Sequence, residues 1–135
     1  MDEARRELVQ VWLLKAKTDL AVARKTASGP DSYLDAAIYH CQQNAEKAIK
    51  AFLVFHDQPF EKIHDLAKLI RLAMPFEPKF SELLPLGDVL TPYVSEFRYP
   101  DERILPSQEE FESALAAAER VYHFVLSLLP KEVHP

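Results

Sequence analysis

The sequence predicts an all-α fold, an up-and-down antiparallel four-helix bundle with an additional short helix. Three observations carry this. Apolar residues recur at alternating steps of four and three along long stretches, the spacing of one helix face. The chain has only two glycines, and few Val, Ile or Thr residues stand in alternating runs, which argues against a sheet. The ten prolines gather between and after the periodic stretches, where they mark boundaries. With 135 residues, 48% hydrophobic and 27% charged, the chain has the size and composition of one soluble domain over 1–135. Such a domain buries roughly two-thirds of its unfolded surface and needs no disulfide or metal to fold.

The first helix is expected from about Asp2 to Ala27, with Val9, Trp12, Ala16, Leu20, Ala23 and Ala27 on its apolar stripe. Asp2 and Glu3 favour its positive end, and Lys15 is placed to pair with Asp19 one turn on. Trp12 reads as core. Ser28, Gly29 and Pro30 then turn the chain, and the short connection predicts a helical hairpin.

The second helix, Asp31 to His56, is the one the rest is arranged around. Leu34, Ile38, Cys41, Ala45, Ala48, Phe52 and Phe55 form its stripe, with no Gly or Pro between. Ser32 and Asp35 read as a box-like cap. Beside the stripe lie His40, Gln43, Lys47 and Lys50. They fit either a solvated face, with Glu46 and Lys50 as an i,i+4 pair, or the polar, partly basic wall of a cleft.

Asp57, Gln58 and Pro59 break that helix. A shorter one follows from about His64 to Met74, with Asp65 at its positive end. Prolines then divide the chain from Pro75 to Pro106. Phe80, Leu83 and Leu84 suggest a turn or two, and a helix from Leu86 to Phe97 meets Pro92 as a kink or a new start. Arg98 and Tyr99 stand at its end, with Tyr99 held extended before Pro100. The last helix opens on the capping box Ser107 and Glu110. It buries Phe111, Leu115, Ala118, Tyr122, Val125 and Leu129 and stops at Pro130. Arg120 and His123 read as a surface pair.

A net charge of −5 is not that of a strong nucleic-acid binder, although a local basic cleft is compatible with it. The single Cys41 lies on an apolar stripe and reads as a small buried hydrophobe, which suits a reducing cytoplasm. The charged opening MDEARREL has no apolar core of a secretory signal, and no apolar run reaches membrane-spanning length. Two glycines cannot build a phosphate loop, no metal-ligand cluster or serine nucleophile elbow is present, and no cofactor is expected.

Three patches together resemble the HEPN domain family (higher eukaryotes and prokaryotes nucleotide-binding). They are His40 to Leu53, with its Gln-Gln and Glu-Lys-Ala pattern, then Ile63-His64-Asp65-Leu66, then Phe97-Arg98-Tyr99-Pro100-Asp101. The last resembles the subgroup with an Arg-Tyr-Pro-Asp motif. The resemblance implies a bundle that commonly dimerises and often acts beside a minimal nucleotidyltransferase in toxin–antitoxin-like modules. Some members are metal-independent ribonucleases with an Arg, four to six residues, then a His. Here that Arg falls on Arg98, and the His positions hold Arg103, Ile104 and Leu105. No other arginine has a His at that spacing, so no catalytic residue is assigned. The expectation is a homodimeric nucleotide- or RNA-binding or interaction module working with a minimal nucleotidyltransferase partner, with Arg98, Tyr99, Gln43, Lys47, Lys50 and Arg103 as phosphate and nucleotide contacts. His40, His64 and Asp101 are secondary candidates. The alternative is a ribonuclease using Arg98 with a non-standard histidine, His40 or His64.

Overall fold

A computed structural model describes residues 1–98 and 105–135. Among these residues all regular structure is helical. The α-helices are α1 (Glu3–Ala27), α2 (Leu34–Phe55), α3 (Leu66–Ala73), α4 (Leu84–Leu90) and α5 (Gln108–Leu128). Short 3-10 turns cover Pro78–Leu83, Thr91–Val94 and Lys131–Val133.

α1 and α2 form the expected hairpin. Asn44 Nδ2 donates to the Ala16 carbonyl at 2.7 Å, and the Tyr33 amide donates to the Thr26 carbonyl at 2.8 Å. The second contact pairs the start of α2 with the end of α1, and the first joins their middles. α5 runs antiparallel to α1, tied at one end by Arg24–Glu119 and at the other by Arg6–Glu132. The fourth position of the bundle is not one long helix. α3, α4 and the 3-10 turns at Pro78–Leu83 and Thr91–Val94 share it, because Pro78, Pro85 and Pro92 each open a new short element. The expected Leu86–Phe97 helix is therefore split, and Pro92 acts as a start. Gly87 lets α4 approach α3: a Cβ there would lie 3.2 Å from Ile70 Cδ1.

Fourteen of the 22 residues of α2 are buried, so it is the central helix. Its predicted stripe is buried from Ile38 to Phe52, with Leu34 and Phe55 half-buried at the ends. Phe52 and Phe80 meet at 4.7 Å and Phe80 meets Phe124 edge-on at 4.9 Å, closing the core across three elements. α2 ends on a left-handed residue, Asp57 (φ 53°), and the Gln58 amide donates back to the Leu53 carbonyl. On α1 the core position is Leu13, while Trp12 is half-buried against Phe60.

Two local expectations are corrected. Ser32 does not cap α2; the helix starts one residue later, after Tyr33, with no side-chain cap. The bond from the Tyr33 amide to Thr26 keeps Ser32 inside the turn. Lys15 does not hold Asp19, because that carboxylate faces inward onto α2 and is bonded there twice. By contrast Asp65 and Ser107 cap α3 and α5 as side-chain acceptors, the latter from the Glu110 amide at 3.0 Å.

Candidate functional site

The polar side of α2 is neither a solvated face nor an open wall: most of it lies inside the protein and is paired. Asp19, only 6% exposed, accepts from Lys47 Nζ at 2.6 Å and from His40 Nδ1 at 2.7 Å. Further along, Glu46 accepts from Lys50 Nζ at 3.1 Å, from His64 Nδ1 at 2.8 Å and from Gln42 Nε2 at 3.0 Å. Gln43 donates to Gln42 Oε1 at 2.6 Å. The Lys50 ammonium also sits 5.6 Å from the centres of the Trp12 and Phe60 rings. Buried charges persist only with such partners. The i,i+4 pair of Glu46 and Lys50 is thus present, but in the interior.

His40 sits where this interior meets solvent. Its Nδ1–H points to Asp19, which leaves the Nε2 lone pair without a partner among the described residues. Asp35, Ala36, Tyr39, His40, Phe97 and Arg98 enclose a surface cleft of about 290 Å³. α2 supplies the first four. The last two come from the turn after Thr91–Val94, where Phe97 adopts a left-handed backbone (φ 71°) and buries its ring parallel to Tyr93. A non-glycine residue held there costs about 1–3 kcal/mol, and the turn it makes swings Arg98 onto α2. The Arg98 guanidinium lies 4.3 Å over the Tyr39 ring, its remaining contact being a long 3.5 Å bond to the Val94 carbonyl. It makes no ion pair among the described residues and stays exposed. A planar cation fixed on an aromatic face, with most of its donors still available, is suited to phosphate or carboxylate.

Of the residues predicted from sequence, the structure brings Arg98 and His40 into one cleft, and Lys47 joins them through Asp19. Gln43 and Lys50 are buried in the second cluster, which reaches the surface at His64. Tyr99, Asp101 and Arg103 lie outside the described residues. Asp19, Asp35, Tyr39 and Phe97 were not singled out as site residues by their sequence context. For Asp19 a signal was available: an acid at stripe spacing between Ala16 and Ala23, on the face of α1 that turns inward. Cys41 is buried, and burial, with Glu119 adding to it, pushes its thiol up to about 12, so it carries no thiolate. No group of three metal-ligating side chains occurs among the described residues, and no described helix is long and apolar enough to cross a membrane.

The HEPN domain family model matches residues 9–129. The crystal structure of ST0689, an archaeal HEPN homologue, aligns with a TM-score of 0.70 at 25% identity, covering 89% of this chain and 96% of that one. The crystal structure of TT1696 from Thermus thermophilus aligns with a TM-score of 0.76 at 26% identity, covering 90% and 98%. No curated protein matches.

Proposed function

The chain belongs to the HEPN domain family, and from that premise we propose that it is a nucleotide- or RNA-binding module that does not cut its ligand. In this reading it acts in the cytoplasm as a homodimer, beside a minimal nucleotidyltransferase partner in a toxin–antitoxin-like pair. The observation that carries the binding role is the cleft. The Arg98 guanidinium is held on Tyr39 with no ion pair among the described residues, in the same cleft as an imidazole fixed by Asp19. Guanidinium matches phosphate oxygens two at a time. At the family's histidine positions this chain has Arg103, Ile104 and Leu105, none of which can take a proton at neutral pH. The test is fluorescence anisotropy of an end-labelled RNA. Arg98→Ala is expected to weaken binding at least tenfold, the loss of a charge-assisted bond of about 1.5–3 kcal/mol. Unchanged binding would contradict the proposal. For the partner, a nucleotidyltransferase is expected to co-purify from the native host.

One observation favours a second reading. His40 shares the cleft with Arg98, and Asp19 orients it as a carboxylate orients a general base. In a ribonuclease of this kind His40 Nε2 would take the proton of a 2′-hydroxyl as its oxygen attacks phosphorus. The 5′-oxygen would leave and take a proton from water, and Arg98 would steady the charge growing on the phosphoryl oxygens.

A further inference from the structure

The cleft holds a second uncommitted charge. Asp35 stands in the first turn of α2 and lines the same cleft as Arg98, half-buried. Its carboxylate has no hydrogen bond and no ion pair among the described residues, and it does not pair with Arg98. As an acid near the positive end of a 22-residue helix it is well placed electrostatically. That role leaves both oxygens able to accept hydrogen bonds. Among the described residues, a small cleft therefore presents an unpaired acceptor group and a guanidinium without an ion pair. A ligand that satisfies both must carry an anion and a donor edge.

Resting on the nucleotide-binding reading above, we infer that Asp35 selects guanine. A carboxylate accepts only. Among unstacked nucleobases, guanine alone presents two adjacent donors on its Watson–Crick edge, N1–H and the 2-amino group, which match the two carboxylate oxygens. Adenine and cytosine each place an acceptor nitrogen beside their amino group, and uracil flanks its one N–H with two carbonyls. Each would set a lone pair against the carboxylate. Tyr39 covers one face of the Arg98 guanidinium. Arg98 is exposed, and in this proposal its other face takes the base plane and its fork the phosphate.

Calorimetric titration with GMP, IMP, AMP, CMP and UMP tests this. GMP is expected to bind about tenfold or more tightly than AMP, CMP and UMP, the discrimination of one bidentate pair. IMP, which keeps N1–H but lacks the 2-amino group, is expected between them. Asp35→Asn should bring GMP down to the level of AMP, since its amide turns a donor toward a donor. Arg98→Ala should weaken all five alike. Equal affinities across the series, or a GMP preference that survives in Asp35→Asn, would overturn the inference and leave phosphate binding standing. No binding of any nucleotide would overturn both.

Discussion

At the scale of single residues, Asp19 is the side chain on which the cleft depends. It anchors two side chains of α2, the Lys47 ammonium and the His40 imidazole at the cleft wall. Asp19→Ala should cost about 3 kcal/mol in urea denaturation, the low end for breaking a buried pair, because both partners reach solvent. A loss below about 0.5 kcal/mol would show that the pairs contribute little. His56 makes a separate prediction. It is wedged among Phe52, Phe55 and Phe76, and burial, then Arg5, holds its pKa below the ordinary 6.5. The unfolded chain takes up this proton first as pH falls. This contribution to stability is therefore complete above about pH 6.5 and declines below it. His56→Phe should flatten the decline. Equal pH profiles for the two proteins would refute the assignment. Cys41 should resist alkylation in the native protein and react once it is denatured. Its burial was readable from the stripe. The partners of His40 and Lys47 were not, since period-based reading orders residues within a helix and not between helices.

At the scale of elements, α2 shows why a stripe can be right and its polar neighbour misread. Ile38, Cys41, Ala45, Ala48 and Phe52 are buried as their spacing requires. Gln42, Gln43, Glu46 and Lys50 are buried as well. A central helix has no solvated face, and α2 is central because α1, α3, α5 and the Thr91–Val94 turn all pack on it. Ala45 is fully buried, so Ala45→Leu should overpack and cost about 1–3 kcal/mol. An unchanged denaturation midpoint would show that the site has room. The cap on α5 was legible as a Ser-x-x-Glu box before an apolar run, while Asp65, expected only as a favourable charge near the start of α3, proves to be its cap. Between Pro75 and Pro106 the prolines announced breaks. They could not tell a kink from a restart, since a proline is compatible with either and tertiary packing decides.

At the scale of the whole molecule, the all-helical bundle followed from period and proline placement, and three long helices stand within a few residues of their expected bounds. The cleft followed only in part. Arg98 and His40 are 58 positions apart, and the left-handed turn at Phe97 that joins them has no glycine to mark it. α1 leaves Leu8, Val11 and Leu14 between 45% and 55% exposed on its outer side. Such a row on a helix suits burial against a second copy. Light scattering at micromolar concentration is expected to give a dimer, and Leu14→Glu to shift it toward monomer. A monomeric wild type would contradict the proposed assembly. The central claim is that the Arg98 cleft holds nucleotide phosphate without cutting the chain it holds. Incubating the purified protein with a mixed-sequence RNA in EDTA, beside Arg98→Ala and His40→Ala, tests it most directly. The RNA should stay intact in all three, with binding weakened in Arg98→Ala. Cleavage by the wild type that both substitutions abolish would contradict the claim and make His40 the base.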